Sequence, residues 1–221
     1  MMRTAILFPT FNRVEQARRC LDRFIQTAPA ATLVVVTEDA PSAFGSLLDD
    51  EHILFVPVTE GMTAVQKWNH ALKKGHPRFD AFVLGADDLW PAEGWLDEAL
   101  KVQDYTGAGC VSFDDGVTDG NALGTHYLLT KSWIRDFQNG VMCVPHYRSW
   151  GLDAETTARA KASGTYEWAK NAMVEHRHVH FGKAAMDDTY RKGYGAHAYD
   201  NMILQVRRKH NWPNDFEGVI V

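Results

Sequence analysis

Over its first hundred residues the chain alternates four short apolar runs with segments of helical periodicity, and few folds accommodate that order. The runs are Thr4–Phe8, Thr32–Thr37, His52–Val58 and Ala81–Leu84. Each is the right length for a strand buried on both faces and too short for a buried helix. Between them, Val14, Ala17, Leu21, Phe24 and Ile25 recur at helical spacing toward Pro29, and Ser42–Leu48 reads as a short helix. Val65, Trp68 and Leu72 follow a Thr63 cap and close at Gly75 and Pro77. Pro91 and Glu93 read as the first turn of a further helix that runs to about Val102. Strands and helices in this order imply right-handed βαβ units and an α/β fold with a mostly parallel central sheet flanked by helices.

The polar ends of three of these strands share one edge of such a sheet: Asn12 and Arg13, Glu38 and Asp39, Asp87 and Asp88. Open α/β sheets bind ligands at that edge. Adjacent carboxylates with nothing basic beside them repel one another unless they share a cation. Mg²⁺ or Mn²⁺, held by one or two carboxylates and by substrate phosphates, suits Asp87 and Asp88. The plainer reading is a solvated turn with Asp88 as a helix cap.

The second half is less regular. Gly109–Phe113 and Thr125–Thr130 read as strands around a turn-rich loop, Asp114–Gly124. Ser132 is the expected cap of a short helix through Phe137, and a loop, Gln138–Trp150, precedes a helix over Leu152–Ala162. Trp168–His180 carries His176, His178 and His180 at period two, on one face if extended. Ala198–His210 reads as a basic amphipathic helix. With no repeat or linker, the 221 residues read as one domain with a nucleotide-like first half, residues 1–105, and a variable second half, 106–221, expected to carry acceptor binding and catalysis.

Composition removes several function classes. The net charge of −5 gives no global basic field for nucleic acid or anionic membrane, although Arg191, Lys192, Arg207, Arg208 and Lys209 crowd the last third. Cys20, Cys110 and Cys143 are too far apart for a zinc thiolate site or a disulfide framework, which suits a reducing compartment. No run approaches the ~20 apolar residues of a membrane span or the core of a signal peptide. A soluble, cytoplasmic protein is the expectation.

Taken together these stretches resemble the family-2-like glycosyltransferases of the GT-A fold, over most of the chain to about Tyr190. Pro9-Thr10-Phe11-Asn12-Arg13 matches the family's opening P-T-x-N-R. Asp39, beside Glu38, stands where an acid contacts the nucleoside; Gly61 and Trp68-Asn69 match the next nucleotide-facing segment. Asp87-Asp88 matches the metal-binding motif, but the further acid usual two places earlier is Gly85 here. Gly151-Leu152-Asp153-Ala154-Glu155, then Arg159-Ala160 and Gly164, follow the outline of the segment that supplies the general base. Asp153 is the first choice for it and Glu155 the second. His176, with His178 as alternate, stands where a histidine completes the metal site. The segment from His180 through Lys183 and Met186-Asp187-Asp188-Thr189-Tyr190 resembles a phosphate-facing flap of short relatives, many of them in phages.

The resemblance implies an inverting hexosyl- or pentosyltransferase that uses Mn²⁺ or Mg²⁺ on Asp88. Its donor is a nucleoside diphosphate sugar, with UDP favoured. Lys183 and Arg191 would add charge on the diphosphate, and Trp90, Trp95, His146, Tyr147 and Trp150 are candidates to line the acceptor side. Acceptors in the family range over lipids, polysaccharides, proteins and modified DNA bases. With no membrane segment and a basic last third, a soluble acceptor is expected, a hydroxymethylated base in phage DNA among the candidates; a phage-encoded protein would act in the host cytoplasm. The competing readings are a metal-dependent hydrolase built on His176, His178 and His180 with Asp187 and Asp188, and a nucleotide-sugar-binding module without chemistry.

Overall fold

A computed structural model describes residues 2–75 and 77–215. Strands β1 (Thr4–Thr10), β2 (Thr32–Thr37), β3 (Ile53–Pro57) and β4 (Ala81–Leu84) form where the four apolar runs lie. They pair in parallel, β2 and β4 on either side of β1 and β3 outside β2. Helices α1 (Val14–Thr27) and α2 (Ala64–Gly75) cover opposite faces. On β1, Ile6 and Phe8 join Leu21 and Phe24 of α1, while Ala5 and Leu7 join Val65 and Leu72 of α2. A strand buried on both faces carries no polar alternation, which is why these runs are apolar throughout. Thr63 caps α2 in a reciprocal pair with Gln66: its hydroxyl accepts from the Gln66 N–H (3.2 Å) and its own N–H reaches Gln66 Oε1 (2.8 Å). Ser42–Leu48 forms as part of a kinked 3₁₀ segment, Pro41–Asp49.

After β4 the expected helix is delayed. Leu89–Pro91 is a short strand, β5, and α3 (Trp95–Thr106) begins only after Gly94. Pro91 and Glu93 therefore precede the helix, and its N-cap is Gly94 rather than Asp88. Trp95 is fully buried, edge-on to Phe24 and Phe113 at 5.8 and 5.1 Å, so it faces no acceptor.

The second half adds β6 (Cys110–Asp114), β7 (Tyr127–Thr130), β8 (Tyr166–His176) and helices α4 (Lys131–Phe137), α5 (Leu152–Ala162) and α6 (Asp188–Lys209). One eight-stranded sheet results, in the order β3-β2-β1-β4-β7-β6-β8-β5. It is parallel as far as β4 and mixed beyond, because β7 runs against both β4 and β6. Thr130, not Ser132, caps α4, accepting from the Trp133 N–H at 3.2 Å. Strand β8 stops at His176, so His178 and His180 leave its face; His178 caps the turn Val179–Phe181. Helix α6 starts well before Ala198. Gly193 and Gly195 mask that start in the sequence because glycine disfavours helix.

A buried ion network docks α5 on α6. Glu155 accepts from Arg159 Nε (2.8 Å), from Arg207 Nε and Nη2 (2.7 and 2.9 Å) and from the Tyr147 hydroxyl (2.9 Å). Its carboxylate is fully buried and both oxygens are taken, so Glu155 has no lone pair left for an acceptor proton. Tyr147 is likewise core, not acceptor lining. Removing one member of such a set leaves the opposite charge buried and poorly compensated. Glu155→Gln should cost about 3–5 kcal/mol in urea unfolding. A loss below about 1 kcal/mol, the scale of an exposed pair, would contradict this assignment.

Candidate functional site

A cavity of about 420 Å³ opens at the ends of β1 and β4. Pro9, Thr10 and Phe11 form one wall; Ala86, Asp87 and Asp88 form the next. The start of α2 (Thr63, Lys67, Trp68), the loop at Arg148 and Ser149, and the first turns of α6 close it.

The two adjacent aspartates are buried and have separate jobs. Asp87 accepts from Thr10 Oγ1 (2.8 Å) and from Arg13 Nη1 (3.0 Å). Burial still pushes its carboxyl up, and the neighbouring Asp88 charge adds to that against the pull of Arg13. Asp88 goes the other way. Burial acts to raise it, but the His176 hydrogen bond holds it well below the usual carboxylate range. Its Oδ2 lies 3.5 Å from His176 Nε2 and accepts from the Tyr190 hydroxyl at 3.2 Å. Asp88 is thus the ionised carboxylate at the cavity, while Asp87 is held by its own chain.

Arg13 is buried and forks. Nε and Nη2 each reach Asp187 at 2.7 Å while Nη1 holds Asp87, and the guanidinium lies 3.8 Å from the centre of the Tyr190 ring. Asp187 also caps α6, accepting from the Tyr190 N–H at 2.9 Å. The first turn of α6 is thereby fastened over the aspartates. Lys67, buried, pairs with Glu38 at 2.8 Å and donates to the Thr10 carbonyl at 3.2 Å. Burial would raise Glu38, but the hydrogen bonds from Lys67 and the Gly61 N–H outweigh it and lower its pKa. Lys192 stands over the Phe11 ring at 4.3 Å and lines the cavity.

Of the residues singled out in the sequence, Pro9, Thr10, Arg13, Trp68, Asp87, Asp88 and His178 line this cavity. Others support it. Asp39 accepts from the Asn12 N–H at 3.0 Å, which fixes Asn12 at a left-handed φ of 54°. Asn69 is spent on the Cys143 backbone, with 2.8 and 2.9 Å contacts to its C=O and N–H. Lys183 pairs with Glu175 at 3.1 Å and the exposed Arg191 with Asp188 at 2.6 Å, both away from the cavity lining. The acceptor-side residues do not gather. Trp90 lies under Arg177, His146 near Asp215, and Trp150 packs on His197. Asp153 is half-buried at the start of α5, held by the Ala154 N–H at 2.8 Å, and does not line the cavity. Burial raises its carboxyl, and the backbone N–H groups of Ala154 and of Asp153 itself draw it back in part.

The strand there forms only from Tyr127, and His126, inside the Thr125–Thr130 run read as a strand, carries no sequence mark of a site. Its ring packs edge-on to His176 at 4.7 Å, and burial pushes it down to about 3, so it stays neutral. The Nδ1 atoms of His126 and His176 are both buried without a hydrogen-bond partner. Burial likewise pushes His178 down to about 4. Neutral imidazoles beside an ionised carboxylate suit a divalent cation. Among the described residues no three His, Cys, Asp or Glu side chains converge closely enough to hold an ion by themselves. An ion here needs oxygens from a ligand. Gly85 has a packing reason: a Cβ there would stand 2.8 Å from Ile6 Cγ2 and 2.9 Å from the Leu7 carbonyl. A side chain at this place, the further acid of the resemblance included, has no room.

Solved structures similar to this chain include a mannosyltransferase from Pyrobaculum calidifontis in complex with GDP-Man and Mn²⁺. It matches 94% of this chain and 73% of its own, with a TM-score of 0.64 at 16% identity. S. aureus TarS (residues 1–349) in complex with UDP-GlcNAc matches 86% of this chain and 64% of its own, at 0.64 and 13%. The catalytic domain of Drosophila β1,4-galactosyltransferase 7 in complex with xylobiose gives 0.56 and 14% over 88% of this chain and 80% of its own. No family model and no curated protein matches the sequence. The chain has the GT-A fold. Among the described residues, no helix is long and apolar enough to cross a membrane.

Gly195 gives a clean test of the cavity wall. A Cβ there meets nothing within 4 Å, although the residue sits inside α6 and lines the cavity. Gly195→Ala should therefore raise Tm by about 2–4 °C, since helical alanine is favoured by about 1 kcal/mol. A lower Tm in differential scanning calorimetry would show that the position is packed.

Proposed function

We propose that this chain is a metal-dependent, inverting glycosyltransferase that moves a sugar from a nucleoside diphosphate sugar to a hydroxyl acceptor. What carries the reading is Asp88. Among the described residues it is an ionised carboxylate paired with no arginine or lysine, only with the His176 imidazole, at a cavity on the ligand-binding edge of a GT-A sheet, with Asp87 already paired with Arg13.

Asp88 and His176, with His178 beside them, would hold Mn²⁺ or Mg²⁺ together with donor diphosphate oxygens. Bound there, the ion supplies Lewis-acid stabilisation of the leaving diphosphate. Lys192 adds a cation at the same cavity, and Thr10, Phe11 and Trp68 wall the nucleoside end. Asp153 takes the acceptor proton. Its raised carboxyl has only backbone N–H partners and no basic side chain on it, as a base requires. The donor is a UDP-sugar and the acceptor a hydroxymethylated base in DNA, supported by the exposed Arg208 and Lys209 on α6.

The test is UDP release from UDP-sugars with hydroxymethylated duplex DNA, polysaccharide or protein as acceptor. Asp153→Asn should lower kcat by about 10²–10⁴ with little change in KM. The base form accumulates as pH rises, so the rate should fall as pH drops through a value above the ordinary aspartate pKa of about 3.9. No turnover by the unaltered chain, or full turnover by Asp153→Asn, contradicts the reading. Turnover on polysaccharide or protein alone removes only the DNA acceptor.

A further inference from the structure

One fully buried carboxylate has no part in the site described so far. Asp200, in the middle of α6, accepts from three consecutive backbone N–H groups: Arg148 (2.9 Å), Ser149 (2.9 Å) and Trp150 (2.7 Å). Three such bonds to one anion are charge-assisted and individually strong. They bend the chain around the carboxylate immediately before α5.

The same corner is fixed from other sides. The Arg148 carbonyl accepts from the Val65 N–H at 3.3 Å, tying the loop to the first turn of α2. Gly151, which opens α5 at a left-handed φ of 78°, presses on α6. A Cβ there would stand 3.1 Å from Tyr147 Cε1 and 3.5 Å from Leu204 Cβ. Asp153 follows two residues later. Arg148 and Ser149 line the cavity together with Lys192, Gly193 and Gly195 from the helix that carries Asp200; the Ser149 hydroxyl lies 3.6 Å from where a Gly193 Cβ would stand. Through Asp200, α6 therefore sets both the cavity wall and the start of α5.

From this arrangement we infer that Asp200 is a positioning residue for the transfer: it holds the 148–150 loop so that the Asp153 carboxylate is presented to the acceptor at a fixed place relative to the donor cavity. The inference rests on Asp153 being the base. Asp200 touches no reactant and acts only through the loop. A reacting group displaced by about 1 Å can cost on the order of 10²-fold in rate. The donor cavity, by contrast, loses only the support of Arg148 and Ser149 and keeps the walls at residues 9–11, residues 86–88 and the start of α2, which are held by Arg13 and Lys67.

Asp200→Asn keeps the shape but gives up the charge and one strong acceptor. Its kcat should fall on the order of 10–100-fold while KM for the UDP-sugar stays within about threefold. Gly151→Ala, which strains the same corner without touching the carboxylate, should show the same kcat-selective loss and serves if Asp200→Asn does not fold. A second readout needs no turnover. In ¹³C NMR titrations, the Asp153 carboxyl of Asp200→Asn should move toward the ordinary aspartate value as the loop loosens. A variant with lowered Tm but unchanged kcat, KM and Asp153 titration would make Asp200 merely structural and overturn the inference. If the unaltered chain turns over no sugar nucleotide, the transferase reading fails. The Asp153 titration then still decides whether Asp200 places that carboxyl.

Discussion

Everything at the ligand edge depends on the Arg13 guanidinium. A single buried cation joins the exit of β1, the first aspartate after β4 and the cap of α6, through 3.0 Å to Asp87 and 2.7 Å to Asp187. Two adjacent buried carboxylates would otherwise repel each other in a medium that screens poorly. By satisfying Asp87, Arg13 lets Asp88 stay charged with His176, not an arginine or lysine, beside it. By holding Asp187 it brings Tyr190 and Lys192 over the cavity, at the far end of the chain from the strand that places it. An isolated fork of this kind is weak evidence for stability, because desolvation offsets much of the attraction. Its consequence here is division of labour between Asp87 and Asp88.

A second buried set, Glu155 with Arg159, Arg207 and Tyr147, does for α5 and α6 what Arg13 does for the strand ends. The two sets explain why acids close in sequence differ in kind. Asp87 and Glu155 are neutralised by arginine, while Asp88 and Asp153 have none. Only the second pair remains available to a cation or a proton. Helix α6 belongs to both sets, with Asp187 caught at one end and Arg207 at the other, so the cavity wall and the start of α5 are parts of one fastened unit.

Much of this was legible in the sequence. The four strands of the first half could be read because burial on both faces demands unbroken apolar runs, and their exits placed Asp87 and Asp88 at the ligand edge. Beyond Trp95 the legible signals became ambiguous. An acid in the first turn of a helix looks the same whether it meets arginines, as Glu155 does, or stands alone, as Asp153 does. Trp95 and Tyr147 carry no mark that separates core from rim. His126 could not be found, since a loop histidine gains meaning only when folding brings it to 4.7 Å from His176. The start of α6 was hidden by Gly193 and Gly195, whose low propensity is overridden by the Asp187 cap and by packing. Lys192 lines the cavity and Arg191, one residue away, does not, because a helix turns neighbouring side chains in different directions.

In the proposed function, Asp88 and its histidines make half a metal site, completed only by a nucleoside diphosphate. Room-temperature EPR of free Mn²⁺ tests it most directly. With the protein alone the free Mn²⁺ signal should persist at micromolar metal. Adding UDP or GDP should deplete it well beyond what the nucleotide binds by itself, and Asp88→Asn should abolish that extra depletion. Tight Mn²⁺ binding without nucleotide, or equal depletion with and without the protein, would contradict the account.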